Sequence, residues 1–124
     1  MTLIELTLIF NYMVKYSTQE LDHVFHALAN STRRDIILQV AQQEMTVNDI
    51  ANHYDMSLPA VSKHIKVLMK AGLVIQKREG RVRHCRLDYE PLEAASDVIQ
   101  KYKEFWESQL DALEAFLEET EPAP

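Results

Sequence analysis

Four side chains that can hydrogen-bond or carry charge, Ser62, Lys63, His64 and Lys66, sit beside an apolar stripe of Val61, Ile65 and Leu68. The i, i+4, i+7 stripe predicts one helix with a buried face and a polar, cationic face. A serine hydroxyl serves base edges or phosphate, and a lysine reaches guanine O6 and N7 or a phosphate. Ser57 is the expected N-cap, where the first helical N–H groups attract an anion. Pro59 fits the first turn, where its missing N–H costs nothing, and Gly72 is the stop signal. A helix anchored on one side and offering such groups on the other suits a DNA major groove.

Charges on a helix usually only face water, and the next segment argues against that plain reading. Residues 73–87 are rich in β-branched and cationic side chains around a Glu79-Gly80 turn, which predicts a basic β-hairpin. A reading helix followed at once by such a hairpin is the plan of a winged helix. The predicted DNA contacts are Ser57, Pro59, Ala60, Ser62, Lys63, His64 and Lys66 on the helix. Lys77, Arg78, Arg81 and Arg83 are those predicted in the hairpin, near a minor groove or the backbone.

Charge is divided unevenly along the chain. Residues 57–86 hold eight Lys and Arg against one acid, a net of +7, while all 124 residues carry −6. The rest therefore carries −13. A local positive patch on a body that repels phosphate marks a directed nucleic-acid surface.

The elements that must position this surface are mostly helical. At 124 residues with two glycines, the chain reads as one helix-rich domain. Ser17-Thr-Gln-Glu20 is a capping-box pattern opening a helix over about 21–29. A second helix is expected over about 33–42, after the break at Asn30-Ser31-Thr32. Thr46 is expected to cap a short helix running to Tyr54, and Asp55-Met56-Ser57 to turn into the reading helix. The result is a helix-turn-helix pair in a core spanning 17–90.

Both chain ends predict association. Leu92, Ala95, Ile99, Tyr102, Trp106, Leu110, Leu113 and Leu117 keep steps of three and four along a final helix at 91–119. So wide a stripe on a terminal helix calls for a second copy of itself. The apolar segment at 1–16, with Leu6, Ile9 and Phe10, lacks a basic leader and a cleavage site and is too short to span a bilayer. It is expected to join the same homodimer interface, which also takes Ile99, Tyr102, Trp106, Leu110 and Leu113. Residues 120–124 are expected to form a tail.

In order and spacing, several motifs resemble the ArsR/SmtB family of winged-helix bacterial repressors. They are Phe25-His-Ala-Leu-Ala-Asn-Ser-Thr-Arg-Arg34, Ser57-Leu-Pro-Ala-Val-Ser-Lys-His-Ile-Lys-Val-Leu68, Ala71-Gly-Leu-Val74, Arg78-Glu-Gly-Arg81 and Phe105-Trp-Glu-Ser-Gln-Leu-Asp-Ala-Leu113. The resemblance covers about 17–119. It implies a symmetric dimer, with helices from both chain ends at the interface, that represses an operator in double-stranded DNA. Relatives that sense thiophilic metals carry Cys-x-Cys before the reading helix; here 46–53 has no cysteine. Others carry histidine ligands on the last helix; here 91–119 has none.

No metal, cofactor or enzymatic role is therefore expected, and any effector is unspecified. His23 and His26 make only two ligands, and His53 suits a helix end. Cys85 lies among arginines that favour a thiolate, yet the chain has no second cysteine to resolve an oxidised form. No glycine-rich phosphate loop, G-x-S-x-G or H-E-x-x-H is present. The expectation is a cytoplasmic, homodimeric repressor that occludes a palindromic operator. A winged-helix protein-interaction module and a metal- or redox-responsive repressor are the alternatives.

Overall fold

The computed structural model describes residues 2–8 and 18–120. Residues 3–8 are helical (α1). Then come α2 (Thr18–Leu28), α3 (Ser31–Gln42), β1 (Met45–Thr46), α4 (Val47–Ala51), α5 (Leu58–Lys70), β2 (Val74–Glu79), β3 (Val82–Leu87) and α6 (Glu90–Thr120). The expected mostly helical, winged helix-turn-helix architecture is present. Ser17 of the expected capping box, Ile9 and Phe10 lie outside the described residues, as do 121–124. Thr120 belongs to α6 rather than to a tail.

Helix ends follow their local chemistry. The Asn30 side chain accepts the Arg33 N–H at 3.1 Å and so starts α3 two residues after α2 ends. Thr46 and Asp49 cap α4 reciprocally: the Asp49 N–H donates to Thr46 Oγ1 at 3.0 Å and the Thr46 N–H to Asp49 Oδ2 at 3.2 Å. The expected helix to Tyr54 ends early at Ala51, and Tyr54 instead bonds across to α3. At the end of α5, Gly72 adopts φ +75°, which only glycine takes without strain. There the Gly72 N–H donates to Met69 O and the Leu73 N–H to Leu68 O, both at 3.0 Å. These bonds close the helix and turn the chain straight into β2.

The sheet corrects the expectation of a lone hairpin. It has three antiparallel strands in the order β1-β3-β2. Met45 faces Cys85 and Thr46 faces His84. A two-residue strand carries no periodic signal of its own, so the pattern could not announce it. The turn is also shifted by one residue from expectation. Glu79 pairs with Val82, leaving Gly80 and Arg81 at the tip. Of these only Gly80 has positive φ, +62°, the pattern of a type II′ hairpin turn.

The core lies where α2, α3 and α5 meet the sheet. Its fully buried side chains include Val24, Ile36, Ile50, Val61, Ile65, Leu68, Leu73 and Cys85. The first turns of α6 close one side through Ala94 and Ala95, and α6 packs on α2. The rest of α6 runs beyond the core.

Candidate nucleic-acid interface

The reading helix α5 is fixed from one side. Val61, Ile65 and Leu68 are buried, while Ser57, Pro59, Lys63 and Lys66 are exposed. Ala60, Ser62 and His64 are half-buried along the two borders of the exposed face. Ser57 caps the helix, its Oγ accepting the Ala60 N–H at 3.3 Å. No acidic residue occupies the first turn, so the positive end of the helix dipole is uncompensated by the chain itself.

His64 is held differently from its neighbours. Its Nδ1 lies 3.3 Å from Nη1 of Arg33 on α3. A guanidinium can only donate, so Nδ1 accepts and the ring is the neutral tautomer with its proton on Nε2. Burial, and then the Arg33 charge, lower the imidazole pKa below its ordinary value.

Arg33 itself escaped sequence reasoning. It is buried, and beyond His64 it donates through Nε to Ala27 O at 3.0 Å and through Nη2 to His26 O at 2.8 Å. Arg34 donates to Leu28 O at 2.8 Å. Together they bond the carbonyls at the C-terminus of α2, of which His26 O also accepts the Ala29 N–H at 3.2 Å. One signal was legible: two cations in the first turn of a helix oppose its dipole unless they reach elsewhere.

A second tether sets the turn before α5. Tyr54 donates its hydroxyl to Asp35 Oδ2 at 2.5 Å, and Gln39 Nε2 donates to the Tyr54 oxygen at 2.6 Å. Burial and the Asp35 carboxylate push the phenol well above its usual range, so it stays a donor. The chain between α4 and α5 is thereby pinned to α3.

The wing carries its cations at and beside the tip. Lys77, Arg78 and Arg81 are exposed, and Arg83 is half-buried on the face that strand alternation makes it share with Cys85 and Leu87. Glu79, the one acid here, lies 3.6 Å from Lys77 Nζ and 3.8 Å from His84 Nε2. His84 Nδ1 lies 3.5 Å from Glu44, outside the wing. Cys85 is fully buried; burial raises its thiol pKa against the lowering pull of Gln76 and Arg83. Among the described residues no group of three or more His, Cys, Asp or Glu side chains could hold a metal ion.

Both candidate association segments are bare. Leu92 and Ala95 of the α6 seam turn to the core, but Ile99, Tyr102, Trp106, Leu110 and Leu113 are 53–64% exposed. Leu6 of α1 is half exposed. No described helix is long and apolar enough to cross a membrane.

A short capped helix, a pinned turn, a reading helix and a basic hairpin define a winged helix-turn-helix. Comparison with known proteins places it further. Residues 30–76 match the family described as bacterial regulatory protein, arsR family. The transcriptional repressor SdpR of Bacillus subtilis is 34% identical over 61 residues, 49% of this chain and 68% of SdpR. The crystal structure of the ArsR family transcriptional regulator RHA00566 superposes with a TM-score of 0.69 at 36% identity, covering 73% of this chain and 93% of that one. The homodimeric winged helix-turn-helix domain of Mb0332 from Mycobacterium bovis gives 0.57 at 29% identity, over 69% and 80% of the two chains. The chain belongs to the arsR family and is a DNA-binding transcriptional regulator.

Proposed function

We propose that the protein is a homodimeric repressor that occludes a palindromic operator, working in the cytoplasm. The observation that carries this reading is the placement of charge. Exposed cations gather on α5 and the wing of a chain whose remainder is strongly acidic. Ser62 serves base edges and Lys63 a base edge or a phosphate; Ser57, Pro59, Ala60 and Lys66 line the backbone approach. His64 keeps its Nε2–H free to donate at the border of that face. Lys77, Arg78, Arg81 and Arg83 grip the flanking groove. Two copies joined through α1 and α6 set two reading helices about one DNA turn apart, roughly 34–36 Å. The homodimeric state of Mb0332 and the repressor role of SdpR support this assembly and this outcome.

The test is binding to an operator selected from random DNA, titrated with salt. Lys63→Ala and Arg81→Ala each lower the log–log salt slope by about 0.9 for every phosphate left unneutralised. Ser62→Ala changes base preference more than slope. Wild-type isotherms for all three variants remove the helix-and-wing surface.

A further inference from the structure

At the first position of α5 stands Leu58, a large apolar side chain left 43% exposed. Ser57 precedes it, and the buried Val61 stands at i+3, so Leu58 lies on the border between the core-facing and exposed sides of α5. Ser62 follows at i+4 and so shares its side of the helix. The apolar face of α5 does not need it, since Val61, Ile65 and Leu68 already close the core at 0–1% exposure.

A leucine can serve neither a phosphate nor the amino and carbonyl groups of base edges. Exposed at the edge of the face that carries Ser62, it gains only where the DNA offers apolar surface. In the major groove that surface is the C5-methyl of thymine. The N-terminal residues of a reading helix are also those that reach base edges. We propose that Leu58 is a specificity-determining residue that packs against a thymine methyl in each operator half-site. The proposal rests on α5 being the groove helix. It adds one base identity to a surface whose other members act by hydrogen bonding and charge.

Deoxyuridine provides the test, because it keeps every hydrogen-bonding group of thymidine and deletes only the methyl. An operator is selected with the full chain, and its thymines are replaced one at a time. Wild-type affinity is expected to fall about fourfold at one thymine per half-site, the worth of one buried methyl. Leu58→Ala, with an unchanged melting temperature, is expected to bind the thymine and uracil versions of that position equally. Specific wild-type binding that ignores uracil everywhere, or a half-site without thymine, overturns the role of Leu58 and leaves the groove helix standing. Methyl sensitivity undiminished in Leu58→Ala assigns the methyl to another side chain and also overturns it. A selection that yields no preferred sequence removes the groove reading, and Leu58 with it.

Discussion

The Arg33 guanidinium meets His64 Nδ1 at 3.3 Å, so a buried cation that closes the end of one helix also holds the reading helix. Three elements, α2, α3 and α5, converge on one side chain. The buried charge is matched by two carbonyls and a neutral imidazole rather than by a carboxylate.

Removing that side chain takes a charged donor from its acceptors, although His26 O keeps the Ala29 N–H. Arg33→Ala leaves the carbonyls of His26 and Ala27 without this donor and is expected to cost about 1.5–3 kcal/mol, the range for hydrogen bonds to a charged group. Arg33→Lys keeps the charge but lacks the planar fork, and should recover only part of the loss. Urea unfolding midpoints of the three proteins order them wild type, Lys, Ala. A midpoint for the alanine variant equal to wild type refutes the tether.

The same pairing sets a pH dependence. The folded His64 pKa lies below its ordinary 6.5, so between that value and the lower folded one the unfolded chain binds a proton that the folded chain refuses. Stability must then rise with pH across this window, and fall as pH drops through it. Above 6.5 the group contributes nothing further. His64→Gln should flatten this part of the stability curve while leaving the steeper acid limb, to which Asp49 contributes through its lowered pKa. Equal slopes for variant and wild type just below pH 6.5 would count against it.

Cys85 is expected to be silent in the folded protein. It is fully buried and its thiol pKa is raised, so little thiolate exists near neutrality. A thiol reagent should label it only at the rate of unfolding, and mild oxidant should leave DNA affinity unchanged. Rapid stoichiometric labelling of native protein contradicts this.

The bare seam of α6 predicts the behaviour of a paired substitution. Burying side chains such as Trp106 and Leu110 contributes roughly 1.5–3 kcal/mol each before the entropic costs of association. Trp106→Ala with Leu110→Ala should sediment as a monomer at micromolar concentration and bind the operator far more weakly, with α5 untouched. A wild type that sediments as a monomer sinks the dimer outright.

Periodicity made the larger elements legible. The Val61, Ile65, Leu68 stripe and the alternation ending at Cys85 and Leu87 are long enough to declare a period, and burial follows both. His64 shows the limit. It stands three residues after Val61 and four before Leu68, both buried, so its spacing already placed it on the border of the buried face. Reading the residue type alone sent it wholly to the groove. The Arg33 and Tyr54 tethers were not legible because their partners lie 31 and 19 residues away, at His64 and Asp35. Such pairings are fixed by packing, not by local pattern. The arginines around Cys85 were legible, but their pull on the thiol is overridden by burial, whose completeness comes from packing rather than from the strand's period.

Thr46 belongs to two devices at once. It caps α4 and it pairs with His84 in the middle of β3. The hairpin is therefore riveted to the first helix of the DNA-reading pair, like the fixed jaw of a caliper. On the surface proposed above, that joint ties the spacing between the base of the wing and α5 to the fold of the core. A duplex of the wrong groove width has to bend to fit, and sequences that bend at low cost gain affinity at base pairs that no side chain touches.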